Sequence, residues 1–80
     1  MRIRKHKNSN GTILITLSTL KDENNKSINL VLKDKEYKEF EKINSKIFDD
    51  SFIENIHKKF GFSISFNKLK EELQIKQLIN

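Results

Sequence analysis

The chain has 80 residues with no cysteine, no proline and no tryptophan, and a formal net charge of +5. That length allows one domain with a single modest core and excludes one that also encloses a deep catalytic cleft. Without cysteine there is no disulfide, thiolate nucleophile or Cys-based zinc site, so packing alone must hold the fold.

The excess charge is localised. Arg2, Arg4, Lys5 and Lys7 all fall in the first ten residues, which contain no acid, whereas 12 basic and 11 acidic residues follow. The absence of alanine and the wealth of Lys, Asn, Ile and Phe are the bias of an AT-rich genome, so total lysine carries little weight. Placement carries more: a cationic arm is a local device that suits a polyanion or an acidic protein.

Residues 2–7 and 12–20 read as two strands around Asn8-Ser9-Asn10-Gly11. A two-residue turn would place Arg4 on the face that holds Ile13, Ile15 and Leu17. A three-residue loop, with Gly11 in the left-handed position of a type I turn plus bulge, instead sets Ile3 opposite Leu17 and Lys5 opposite Ile15. The second register is predicted. Lys21 to Lys26 form a polar loop, and Ser27 to Lys33 is a third strand in which Ile28, Leu30 and Leu32 alternate with Asn29, Val31 and Lys33. With Leu20 opposite Ser27, Leu17 meets Leu30 and Ile15 meets Leu32.

One face of this meander then collects Ile3, Ile13, Ile15, Leu17, Ile28, Leu30 and Leu32. The other collects Arg2, Arg4, His6, Leu14, Thr16, Ser18, Asn29, Val31 and Lys33, and is the predicted working surface.

Asp34 reads as the N-cap of a helix that presents Tyr37, Phe40, Ile43 and Ile47 at helical spacing. Ser51 and Glu54 form a capping-box pattern for a second helix carrying Phe52, Ile53, Ile56 and Phe60, closed by Lys58, Lys59 and Gly61. Phe62, Ile64 and Phe66 alternate with Ser63 and Ser65 as a short fourth strand. Asn67 then caps a last helix through Leu69 and Leu73, and residues 73–79 suit that helix better than a strand. Lys76 to Asn80 are expected to fray.

The expected architecture is α+β in the order βββααβα: a mainly antiparallel sheet of three to four strands with two to three helices on one face. The expected core is Ile15, Leu17, Leu30, Phe40, Ile43, Ile56 and Phe60. Residues 1–80 read as a single domain whose edge strand, residues 2–7, is basic.

Chemistry-bearing patterns are few. Glu54 and His57 have the i, i+3 spacing of helical di-metal sites, but the second such pair those sites require is missing. Gly11 and Gly61 are too few for a phosphate-binding glycine loop. An enzyme is therefore not expected, and neither is a cofactor or metal. Helix-turn-helix and ribbon-helix-helix patterns fail as well. His57 and Asn67 stand where the first wants a small and an aliphatic residue, and the second wants an isolated strand where residues 12–20 are ready to pair with residues 27–33.

No apolar run approaches the roughly 18 residues of a membrane span. Neither an anchor nor a signal peptide is expected, and the expected location is the cytoplasm. The binding residues inferred from the sequence are Arg2, Arg4, Lys5, His6, Lys7, Thr16, Asn29 and Lys33. The reading they support is a small non-enzymatic nucleic-acid-binding or regulatory protein that contacts phosphates. The alternative is a phage-type or mobile-element inhibitor that blocks a nucleic-acid-processing protein, and a homodimer fits either.

Overall fold

The computed structural model describes residues 1–20, 26–43 and 48–79. Three strands, β1 (Arg2–Lys7), β2 (Ile13–Ser18) and β3 (Ser27–Leu32), are followed by three helices, α1 (Asp34–Glu41), α2 (Asp50–Phe60) and α3 (Phe66–Ile79). The sheet is an antiparallel meander in the order β1-β2-β3. All three helices lie on the same face, against β3 and, for α2, also β2. The fold is α+β, as the periodicity of the sequence requires.

The β1–β2 hairpin closes as predicted. The Gly11 N–H donates to the Asn8 carbonyl at 3.1 Å, the Asn8 N–H to the Thr12 carbonyl at 2.8 Å, and Gly11 has φ +88°. Ile3 faces Leu17 and Lys5 faces Ile15. Asn10 reinforces the loop by accepting from both the N–H and the hydroxyl of Thr12, at 3.1 and 2.6 Å.

The β2–β3 register differs from expectation by two residues. Leu17 opposes Ile28, Ile15 opposes Leu30, and Ser18 opposes Ser27. A shift of two keeps every side chain on its face, so the apolar and polar faces survive the correction. The observed register matches each inward residue of β2 with an apolar partner, because Ile13 gains Leu32. The expected one would have set Ile13 against Asp34 and Thr19 against Ile28. Thr19 locks the choice: its N–H donates to the Lys26 carbonyl at 2.9 Å, and its buried hydroxyl accepts the Lys26 N–H at 3.0 Å.

The inward residues of β2 and β3 join Phe40, Phe48, Phe52, Ile53, Ile56, Ile64, Phe66, Leu69 and Leu73 in one contiguous core. Phe40 stacks on Phe48 with centroids 5.8 Å apart and meets Phe66 edge-on at 6.5 Å, contacts that add to simple burial. Of the expected core, Ile43 packs against the cluster half-buried, and Phe60 is 37% exposed. Phe60 is the last residue of α2 and stays partly in solvent, whereas Phe66, at the start of α3, is buried.

The helix starts also differ. Lys33, not Asp34, caps α1, and its N–H donates to Glu36 Oε1 at 2.9 Å. Asp49, not Ser51, caps α2 by accepting the Phe52 N–H at 2.8 Å. The fourth strand reduces to one parallel bridge, Asn29 with Ser63. Helix α3 begins at Phe66, and the Ser65 hydroxyl, rather than Asn67, accepts the Lys68 N–H at 3.2 Å. Phe66, Leu69 and Leu73 then reach the core at helical spacing, which an extended chain could not achieve. Helix α3 runs on through Ile79. The expected positions of Ile47 and of loop residues 21–25 lie outside the described residues, as do the side chains of residues 77–80.

Candidate functional site

Strand alternation divides the N-terminal cations into two rows. Arg2, Arg4 and His6 pair with Ser18, Thr16 and Leu14, and so project from the outer face of the sheet, which no described helix covers. Lys5 and Lys7 pair with Ile15 and Ile13 and project on the helix side. The structure therefore unites Arg2, Arg4, His6, Thr16 and Asn29, and separates Lys5 and Lys7 from them.

All six residues of β1 are exposed. Ile3, expected on the apolar face, does point to that side but remains 42% exposed, because α1, α2 and α3 pack against β2 and β3 and leave β1 overhanging. Lys5 takes up part of that overhang, with its ammonium 4.4 Å from the centroid of the Tyr37 ring on α1.

The outer face is graded along the strands. Toward the hairpin loop it is partly apolar: His6 lies beside half-buried Leu14, and Val31 across from Leu14 is 61% exposed. Toward the other end Arg2, Arg4, Thr16, Ser18 and Ser27 line a shallow groove of about 320 Å³, with Leu20 at its margin. Two guanidinium forks over a floor of hydroxyls form a donor-rich surface, and among the described residues no carboxylate lines the groove. Among the described residues neither Arg2 nor Arg4 makes an ion pair, in contrast to Lys59 with Glu72, Lys70 with Glu39 and Lys76 with Asp49.

Thr16 and Asn29 sit opposite each other across β2 and β3. The Thr16 hydroxyl donates to Asn29 Oδ1 at 2.8 Å, which fixes the amide so that its NH2 group remains available on the outer face. Lys33 stands apart. It is exposed at the start of α1, with Glu36 held against its N–H and Asp34 beside it, so its charge is locally balanced.

Ser27 was missed as a groove residue because the two-residue register error set it opposite Leu20, away from Ser18. Its signal was present in the alternation of residues 27–33, which places it on the face of Asn29.

His57 is half-buried at the end of α2 with its ring edge-on to Phe62, the centroids 5.2 Å apart. Among the described residues no three His, Asp or Glu side chains converge on a common point. No described helix is long and apolar enough to cross a membrane. Comparison of the chain with models of known protein families, with curated proteins and with solved structures finds no match.

Proposed function

We propose that this protein binds the phosphate backbone of a nucleic acid through the outer face of its sheet. The observation that carries the reading is the pair Arg2 and Arg4, side by side over a hydroxyl-floored groove, with neither an ion-pair partner nor a lining carboxylate among the described residues. Two residues apart on one strand, they are separated by about 6.8 Å, a step comparable to that between successive phosphates of one nucleic-acid strand. Arginine suits such contacts because its fork donates two parallel hydrogen bonds to a phosphate.

The face carries no Phe or Tyr at its strand positions, which argues for phosphate contact over base stacking. With Arg2 and Arg4 engaged on phosphates, the Asn29 amide is the group there best suited to pairing with a base edge, so sequence preference should be slight.

The test is fluorescence anisotropy with random-sequence duplex and single-stranded oligonucleotides over a series of salt concentrations. Affinity should fall log-linearly with salt. The variant Arg2→Gln/Arg4→Gln should reduce the slope by about 1.8 for duplex or about 1.4 for single strands, the share of two phosphate contacts. Both side chains are exposed and form no internal ion pair with the described residues, so thermal stability should stay within about 0.5 kcal/mol of wild type. Absence of binding at low salt, or an unchanged slope in the double variant, would refute the reading.

A further inference from the structure

The hydrogen bonds of the sheet determine which backbone groups of β1 are left unused. In an antiparallel ladder, hydrogen-bonded pairs alternate with pairs that turn their N–H and C=O groups away. Asn8 and Thr12 form a hydrogen-bonded pair, so with the observed register Ile3, Lys5 and Lys7 turn their backbone groups away from β2. The far edge of β3 is treated differently. Its outward residue Asn29 donates to the Phe62 carbonyl at 2.7 Å and accepts the Ile64 N–H at 3.1 Å. The middle of that edge is thus occupied by the segment before α3, while among the described residues nothing pairs with the backbone groups that β1 turns outward.

We propose that β1 is a docking edge that takes an extended acidic segment of another protein as a fourth strand of the sheet. This goes beyond the nucleic-acid reading, since it rests on the outward backbone groups of β1 rather than on the groove.

Charge selects the occupant. A second copy of this chain would bring its own Arg2, Arg4, Lys5 and Lys7 to within one interstrand spacing, about 4.8 Å, of the same four cations, and like charges directly opposed destabilise a pairing. An acidic strand meets cations on both faces, Arg2 and Arg4 outside and Lys5 and Lys7 inside. An apolar side chain at its inner position beside Ile3 would cover surface that the helices leave bare. Main-chain hydrogen bonds then supply affinity, and the alternating cations and Ile3 supply selection.

The probe is a capped octapeptide of alternating Glu and Val, with hydrogen exchange followed residue by residue. At low salt the peptide should slow exchange of the Ile3, Lys5 and Lys7 amides at least tenfold, and the protection should weaken as salt rises. A nucleic acid held on the outer face would leave those three amides exchanging as in the free protein, so the two readings fail separately.

Peptides N-methylated at every second position separate strand addition from simple charge attraction. One alternation should abolish protection and the other should retain it; equal behaviour of the two would overturn the proposal. Lys5→Pro adds a check from the protein side, because it removes an edge N–H that the internal ladder does not use. It should bind the peptide about tenfold more weakly than Lys5→Gln, and equal binding by these two folded variants would also overturn the proposal. Protection of the same amides that rises with protein concentration in the absence of peptide would overturn it too, by making a second copy the occupant.

Discussion

Replacing Asp49 with alanine tests how α2 is started and how it is tied to α3. The Asp49 carboxylate accepts the Phe52 N–H at 2.8 Å, and its Oδ2 lies 3.0 Å from Lys76 Nζ. Losing the cap costs about 0.5–2 kcal/mol. The ion pair, whose carboxylate is 57% exposed, contributes no more than about 0.5 kcal/mol after solvent screening. A central value of about 1.5 kcal/mol should lower the Tm by about 6–12 °C in a chain of this size.

Asp49→Asn keeps a side-chain acceptor at the cap and should remain within about 0.5 kcal/mol of wild type. Ser51→Ala, at an exposed position already inside the helix, should also change little. The pH dependence has a definite sign. The Phe52 N–H, and then Lys76, hold the Asp49 carboxyl below its ordinary value of 3.8. A carboxyl with a lowered folded value stabilises fully above its ordinary value and loses that contribution as pH falls through the lowered one. The gap between wild type and Asp49→Ala should therefore be constant through neutral pH and narrow only on the acid side of 3.8. Thermal melts followed by far-UV circular dichroism measure all three variants. A larger loss for Ser51→Ala than for Asp49→Ala would refute this account of the cap.

Leu17→Ala should cost about 2–5 kcal/mol and Phe66→Ala about 3–5 kcal/mol, since both side chains are buried; Phe60→Ala should cost under about 1 kcal/mol because its ring is partly in solvent. Urea denaturation ranks the three, and a Phe60 loss equal to that of Phe66 would contradict the core described above. Gly11→Val should destabilise by about 1–3 kcal/mol through its positive φ alone, since no atom lies within 4 Å of the added Cβ; Gly11→Asn should cost clearly less, and equal melting temperatures would contradict the loop geometry.

Local chemistry was enough to define the three N-terminal strands and the existence of the three helices, though not the fate of residues 62–66. The β-branched alternation of residues 13–18 and 27–32, the Asn8–Gly11 loop and the helical stripes led to three strands and helices on one face, and they placed Arg2, Arg4, His6, Thr16 and Asn29 on the other. Alternation has a period of two, however, so it assigns a face and leaves the register open by any even number. Pairing Ile13 with Leu32 through the Thr19–Lys26 closure required knowing what each strand met across the sheet.

Competition between similar local signals was likewise settled by packing. Asp49 and Ser51 are both good caps, and burial of Phe52, Ile53 and Ile56 selects the helix start that Asp49 provides. Phe62–Phe66 alternates like a strand, yet it pairs with β3 only through the two outward backbone groups of Asn29. Beyond that bridge, Phe66 turns into a helix and is buried with Leu69 and Leu73. The uncovered edge of β1 belongs to the same class of fact. The charges of residues 2–7 can be read from the chain, but that three helices would cover β2 and β3 and stop short of β1 depends on where their bulk comes to rest.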